Sequence, residues 1–260
     1  MKKTSFITTL LFLSLSSLSC HAASLLASSP QAKMSGDNKT IALYGNSFTF
    51  YNNNINTRLC DLAQSLLSDK AKGYQYRGIT ISSGRLEWQI NNLEYQNSLQ
   101  KWDAVIFQGN SMEPISKKED SRKSFTESAL KMSDMAHKAG SKVVWFMTWA
   151  AKDKPENTKK LADAYIDIAK QTGGYVAPVG LAFDKARKVH PEINLYYQDG
   201  VHPSLEGTYL AACVFFVTLY NQTPVGGALP TDTNMTPETA KALQQIAWDT
   251  VTEFQSSSSM

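Results

Sequence analysis

The chain has 260 residues, a formal charge of +3 and 19% charged residues. Two of its lysines stand at the extreme N-terminus, so the rest is nearly neutral. No basic stripe argues for nucleic acid, and Lys117-Lys118 reads as a solvated face.

Lys2 and Lys3, the apolar run Phe6–Leu18 and the small residues of SCHAAS have the anatomy of a secretory signal peptide over 1–22, with Ala22 last before the cut. The run is too short and too interrupted by Ser and Thr to span a bilayer. A lipoprotein acylated at Cys20 is the weaker alternative, because Ser17 stands where a Leu would be expected. The expectation is a protein exported to the periplasm or beyond, with no later membrane span.

A low-complexity connector over 23–38 leads to a first strand, Thr40–Tyr44, and a helix over 53–68 whose apolar residues recur at helical spacing. Tyr76–Ser82 alternates like a strand and stops at Ser83-Gly84. A helix over 86–100 follows, then a short buried strand, Asp103–Gln108. A loop over 109–119 precedes a helix over 121–139 closed by Gly140. KVVWFMT, Lys142–Thr148, is the fourth strand, and Tyr175–Pro178 a brief fifth. Helices are expected over 158–172, 181–189, 205–220 and 237–254, with a disordered tail over 255–260. Alternating strands and helices imply one domain, 39–254: a three-layer α/β/α sandwich around a mostly parallel five-stranded sheet.

In such sheets ligands sit beyond the carboxyl ends of the strands. Ser47 follows the first strand, Gly84 the second and Asn110 the third. Ser47, on a tight turn before a helix, is placed either to end the strand or to act as a nucleophile with N–H donors at hand. Asp199 and His202 lie three apart in DGVHPS, which suits a base oriented by a carboxylate, or else a solvated loop. A metal site is disfavoured, because His137, His190 and His202 show no HxH or HExxH spacing.

GNSFT at 45–49, Gly84, QGNS at 108–111 and DGVHPS at 199–204 occur in the order of the SGNH (GDSL-type) hydrolase superfamily, and the chain resembles its GNSFT-bearing bacterial subgroup. The resemblance spans about 39–220. It implies a flavodoxin-like fold and a serine esterase that works through an acyl-enzyme without metal or organic cofactor. Ser47 would be the nucleophile, His202 the base and Asp199 its orienter. The oxyanion hole would comprise the N–H groups of Ser47 and Gly84 and the side-chain amide of Asn110. Two departures stand out. GNS replaces the family's GDS, so Asn46 stands for an Asp outside the triad. The third block usually reads GxND, and Gln108 occupies the place of its Gly, which makes Gln108 the alternative amide donor.

Trp149 and Tyr197 are candidate substrate-lining aromatics, and Tyr196 reads the same way; Trp145 and Phe146 read as core. The loop SMEPISKKED borders the expected cleft. Cys60 and Cys213 read as buried thiols, or as one disulfide if their helices lie side by side. The substrate is a small-molecule or lipid ester, or an acetyl group on a glycan. The rival of another class is a non-catalytic protein that binds a glycan, or a phosphate at the helix after Ser47.

Overall fold

The computed structural model describes residues 30–257. The expected signal peptide, Cys20 and the last three residues lie outside them. Five strands, β1 (Thr40–Gly45), β2 (Gln75–Thr80), β3 (Ala104–Phe107), β4 (Lys142–Phe146) and β5 (Tyr175–Ala177), form one sheet in the order β2-β1-β3-β4-β5. Every pairing is parallel. Parallel strands need covering on both faces, and β1, β3 and β4 accordingly read as apolar runs that are buried almost throughout.

The helices are α1 (Ser47–Phe50), α2 (Ile55–Leu67), α3 (Ile90–Leu99), α4 (Glu119–Lys138), α5 (Asn157–Thr172), α6 (Val179–Val189), α7 (Leu205–Tyr220) and α8 (Pro237–Ser257). On one side α7 packs between α2 and α8, with α6 alongside; α3, α4 and α5 pack in series. The run Gly207–Leu219 of α7 is buried on all sides, which explains a helix with no polar stripe. No helix among the described residues is long and apolar enough to cross a membrane.

The helix expected over 53–68 is α2, and the short α1 precedes it: Asn52, Asn53 and Asn54 all have positive φ (54°, 65° and 64°), which asparagine tolerates better than other side chains, and they separate α1 from α2. Two expectations need correcting. The described part of the connector is built into the core. Ala32 and Met34 are buried, Met34 N–H donates to Thr218 O, and Val176 N–H donates to Gln31 O. At the other end α8 continues to Ser257, so Gln255 and Ser256, expected in a disordered tail, are helical. Gln255 Oε1 accepts the N–H groups of Ala32 and Lys33, tying the two ends together. Helices α2 and α7 do lie side by side, yet Cys60 and Cys213 are free thiols, and only Cys213 is buried.

The chain leaves β1 toward β2, then returns past β1 to β3. That reversal opens a crevice at the carboxyl ends of β1 and β3. Ser47 and Asn110 follow these two strands, one on each side of the crevice.

Candidate active site

Asn46 caps α1: its Oδ1 accepts the Phe48 N–H at 3.1 Å. Ser47 is thereby the first residue of a helical turn, and its N–H, like the other first donors of a helix, has no acceptor within it. The turn is four residues long, so the N–H itself rather than a macrodipole is what it can offer a ligand.

His202 enters from the loop before α7. Its Nε2 lies 2.9 Å from Ser47 Oγ, and its Nδ1 lies 2.5 Å from Asp199 Oδ2. The other carboxylate oxygen of Asp199 accepts the N–H groups of Val201 and His202, each at 2.9 Å. Partial burial pushes the Asp199 carboxyl upward, but the His202 ring and the two backbone donors outweigh it and hold the group below its usual value. An ionised Asp199 fixes the proton of His202 on Nδ1, leaving the Nε2 lone pair facing the serine hydroxyl.

The ring of His202 is held on two sides. Tyr51 stacks on it, with centroids 4.3 Å apart and planes 10° apart, and Phe48 meets it edge-on at 5.8 Å. Asn52 Nδ2 lies within 2.9 Å of the carbonyl oxygens of Pro203 and Ser204 and of Thr208 Oγ1, tying the turn after α1 to the start of α7.

The two candidate amides differ in surroundings. Gln108 is buried and saturated: its Nε2 donates to Asn46 Oδ1 (2.6 Å) and Gly109 O (3.0 Å), and its Oε1 accepts the Thr49 hydroxyl (2.7 Å) and the Asn46 N–H (3.3 Å). Asn110 is only partly buried, and its Nδ2 donates one hydrogen to Ser83 O at 3.1 Å, leaving the second unused. Gly84 departs from its expected part. Its N–H donates to Ile81 O at 2.9 Å, closing a turn around Ser83 (φ 54°). A Cβ at Gly84 would come within 2.8 Å of Ile81 O, so this turn, rather than close approach of a ligand, demands the glycine. Its carbonyl accepts Asn46 Nδ2 at 3.0 Å.

Trp149 is 2% exposed: it borders a cavity beside the site, as expected of a lining residue, but neither face of its ring is free. Phe48 (4.4 Å) and Phe183 (4.2 Å) stack on its two sides, and its Nε1 donates to Val201 O at 2.9 Å. It braces the histidine loop. Tyr196 is buried, while Tyr197 is 51% exposed and edge-on to Tyr51, where a ligand can reach it. Trp145 and Phe146 are core residues, as expected. His137 and His190 bond to Thr172 and Glu192, apart from these residues. Among the described residues no group of three or more His, Cys, Asp or Glu side chains could hold a metal ion.

Two cavities border the site. One of about 580 Å³ is lined by Phe48, Met112, Trp149, Lys152, Lys154 and Asp199. The other, about 380 Å³, is lined by Ser83, Arg85, Trp88, Asn110, Met112 and Ser121. Trp88 is 49% exposed. Sequence reasoning missed Trp88 and also the buried Glu113, which sits in the loop it had marked only as a border of the cleft. The exposed aromatic just after Gly84 was the available signal for the first.

Fold and side chains together define an α/β/α protein that presents a serine, a histidine and an aspartate at a strand-order reversal. A scan against protein-family models finds no match, and neither does a search of curated proteins. Solved structures do match. A DUF4886 family protein from Bacteroides uniformis aligns at 19% identity and TM-score 0.65, over 83% of this chain and 95% of that one. A protein from Slackia heliotrinireducens described as a candidate SGNH hydrolase aligns at 25% identity and TM-score 0.57, over 68% and 97%. An acetyl xylan esterase, AlAXEase, aligns at 15% identity and TM-score 0.56, over 68% and 98%. The chain has the fold of the SGNH hydrolase superfamily.

Proposed function

We propose that the protein is an exported serine esterase that hydrolyses carboxylic esters through an acyl-enzyme on Ser47. The observation that carries this reading is the continuous line from Ser47 Oγ to His202 Nε2 and from His202 Nδ1 to Asp199. Export rests on the signal-peptide pattern of residues 1–22.

Ser47 Oγ attacks the ester carbonyl while His202 Nε2 takes its proton. Asp199 keeps the tautomer and balances the imidazolium. The carbonyl oxygen becomes an oxyanion, for which the Ser47 N–H and the unused Asn110 Nδ2 hydrogen are the available donors; such a donor is worth about 100- to 1000-fold in rate. Collapse expels the alcohol, which receives the proton from His202. Water then attacks the acyl-serine with His202 as base again, and the acid departs. The engaged N–H of Gly84 joins the donors only if its turn opens.

A second reading within the same chemistry is a carbohydrate ester as substrate. The half-exposed Trp88, set beside Arg85, Asn110 and Ser121, combines an aromatic face with polar side chains, the mixture a sugar ring takes. A purely binding role is less well supported, because α1 is too short to make an anion site by its dipole. The test is labelling of Ser47 by a fluorophosphonate, together with turnover of p-nitrophenyl acetate that disappears in Ser47→Ala and His202→Ala. A wild-type protein that neither labels nor turns over short esters refutes the hydrolase reading. Comparing acetate release from acetylated glycans with hydrolysis of longer-chain esters decides between the two substrates.

A further inference from the structure

Glu113 is an acid with no place in the scheme above, yet its side chain is only 1% exposed. It sits on a short 3-10 turn, Glu113–Ile115, in the loop after β3. A buried carboxylate is costly unless its oxygens are saturated with donors, and here they are. Oε2 accepts the backbone N–H of Asn110 at 3.0 Å and that of Leu86 at 3.3 Å. Oε1 accepts Arg85 Nε at 3.1 Å. Arg85 is anchored in turn by Ser121 Oγ at 2.8 Å.

These partners belong to two loops. Asn110 follows β3, whereas Arg85 and Leu86 follow the Ser83-Gly84 turn beyond β2. The same two loops meet again where Asn110 Nδ2 donates to Ser83 O. One carboxylate therefore holds the Asn110 backbone from below while the other loop takes one hydrogen of its side chain. With both constraints in place, the second Nδ2 hydrogen has a single direction. Nearby packing admits no slack: a Cβ on Gly109 would come within 2.8 Å of Phe125 and 3.4 Å of Glu113 Oε2.

We propose that Glu113 is the positioning residue that fixes the Asn110 amide, joining the loops after β2 and β3 so that this amide faces the oxyanion. The proposal rests on the esterase reading. Glu113 reaches the edge of the second cavity, but both its oxygens are engaged by Arg85, Leu86 and Asn110, so it acts through Asn110.

Glu113→Gln keeps the size of the side chain but sets an NH2 against donors on one side. Misplacing a reacting partner by about 1 Å costs on the order of 100-fold, and a partial loosening is expected to lower kcat about 10- to 100-fold with KM nearly unchanged. Asn110→Ala should lose about 100- to 1000-fold. The double variant should sit close to Asn110→Ala alone, because an absent amide cannot be misaligned; a general packing defect would instead multiply the two losses. Arg85→Gln, at a partly exposed position, removes one of the three donors and should show a smaller loss of the same non-additive kind, which covers the case in which Glu113→Gln does not fold. A readout free of turnover accompanies these: the side-chain NH2 resonances of Asn110, assigned by their loss in Asn110→Ala, should shift and broaden in Glu113→Gln or Arg85→Gln. Multiplicative losses, a change confined to KM, or unmoved Asn110 resonances each overturn the proposal. A wild type without label or turnover overturns the esterase reading, and the resonances then still decide whether Glu113 holds this amide.

Discussion

Asn46→Asp is the smallest change that tests how the nucleophile is presented. It converts GNS to the GDS of the resembled superfamily and alters one atom. Asn46 is 3% exposed, and its amide nitrogen donates to Gly84 O at 3.0 Å and Gly109 O at 3.4 Å. Its oxygen accepts the Phe48 N–H and Gln108 Nε2. An aspartate keeps both accepted bonds and loses both donated ones, setting a carboxylate oxygen against two carbonyls. Leaving buried acceptors unpaired costs about 1–3 kcal/mol each. The chain can escape by protonating the introduced carboxylate, but holding a carboxyl of ordinary pKa ~3.9 neutral at pH 7 costs roughly 4 kcal/mol, about three units at ~1.4 kcal/mol per unit. The first route sums to about 2–6 kcal/mol and the second caps it at ~4 kcal/mol, which for a domain of this size lowers Tm by about 10 °C. The penalty also has a sign in pH. A carboxyl whose folded pKa is raised destabilises above its unfolded value, so the variant should approach wild-type stability as pH falls toward about 4 and diverge from it as pH rises. Urea unfolding followed by circular dichroism at pH 5 and pH 8 reads this directly. A variant as stable as wild type at pH 8 would show that Asn46 does not tie the three loops together.

Trp149→Phe keeps the stack between Phe48 and Phe183 but removes the donor to Val201 O; it should cost about 1 kcal/mol in denaturant unfolding, and kcat on a short ester should fall as the histidine loop loosens. An unchanged kcat would deny Trp149 that bracing role. Asp199, held low in the folded state, contributes stability that is present above about pH 4 and is lost as pH falls through its lower folded value. Asp199→Asn should therefore flatten the acid limb of the stability curve and reduce kcat on the order of thousands-fold; parallel acid unfolding of the two proteins would contradict this.

The order of elements was legible because buried parallel strands and amphipathic helices write themselves in local periodicity. Thr40–Gly45, Ala104–Phe107 and Leu205–Tyr220 fall where the pattern puts them. The residues of the candidate site that the structure brings together were legible for a different reason: the Ser47 turn and the DGVHPS loop are short motifs. What stayed hidden depends on contacts between loops far apart in the chain. Asn46 and Gln108 looked like two separate departures from a family pattern, yet their amides bond at 2.6 Å, so they are one arrangement. Trp149 looked like a wall because nothing in WFMTWA says that Phe48 and Phe183 take both its faces. Glu113 stood unremarked in the loop SMEPISKKED, since its donors come from residues 85, 86 and 110. Gly84 suggested close approach to a ligand, whereas crowding within its own turn accounts for it, since a Cβ there would meet Ile81 O at 2.8 Å.

The stacking of Tyr51 on His202, with the Asn52 clamp beside it, has a consequence for when activity begins. Ser47 lies in the first turn after the first strand, and its histidine arrives 155 residues later, just before the penultimate helix. The contacts that align them close among the longest loops in the chain, and such pairings pay their entropy before they gain. On the esterase reading, a nascent or partly folded chain therefore carries an inert serine. Esterase activity would report completion of the fold, and heating would extinguish it together with the cooperative melting of the domain rather than ahead of it.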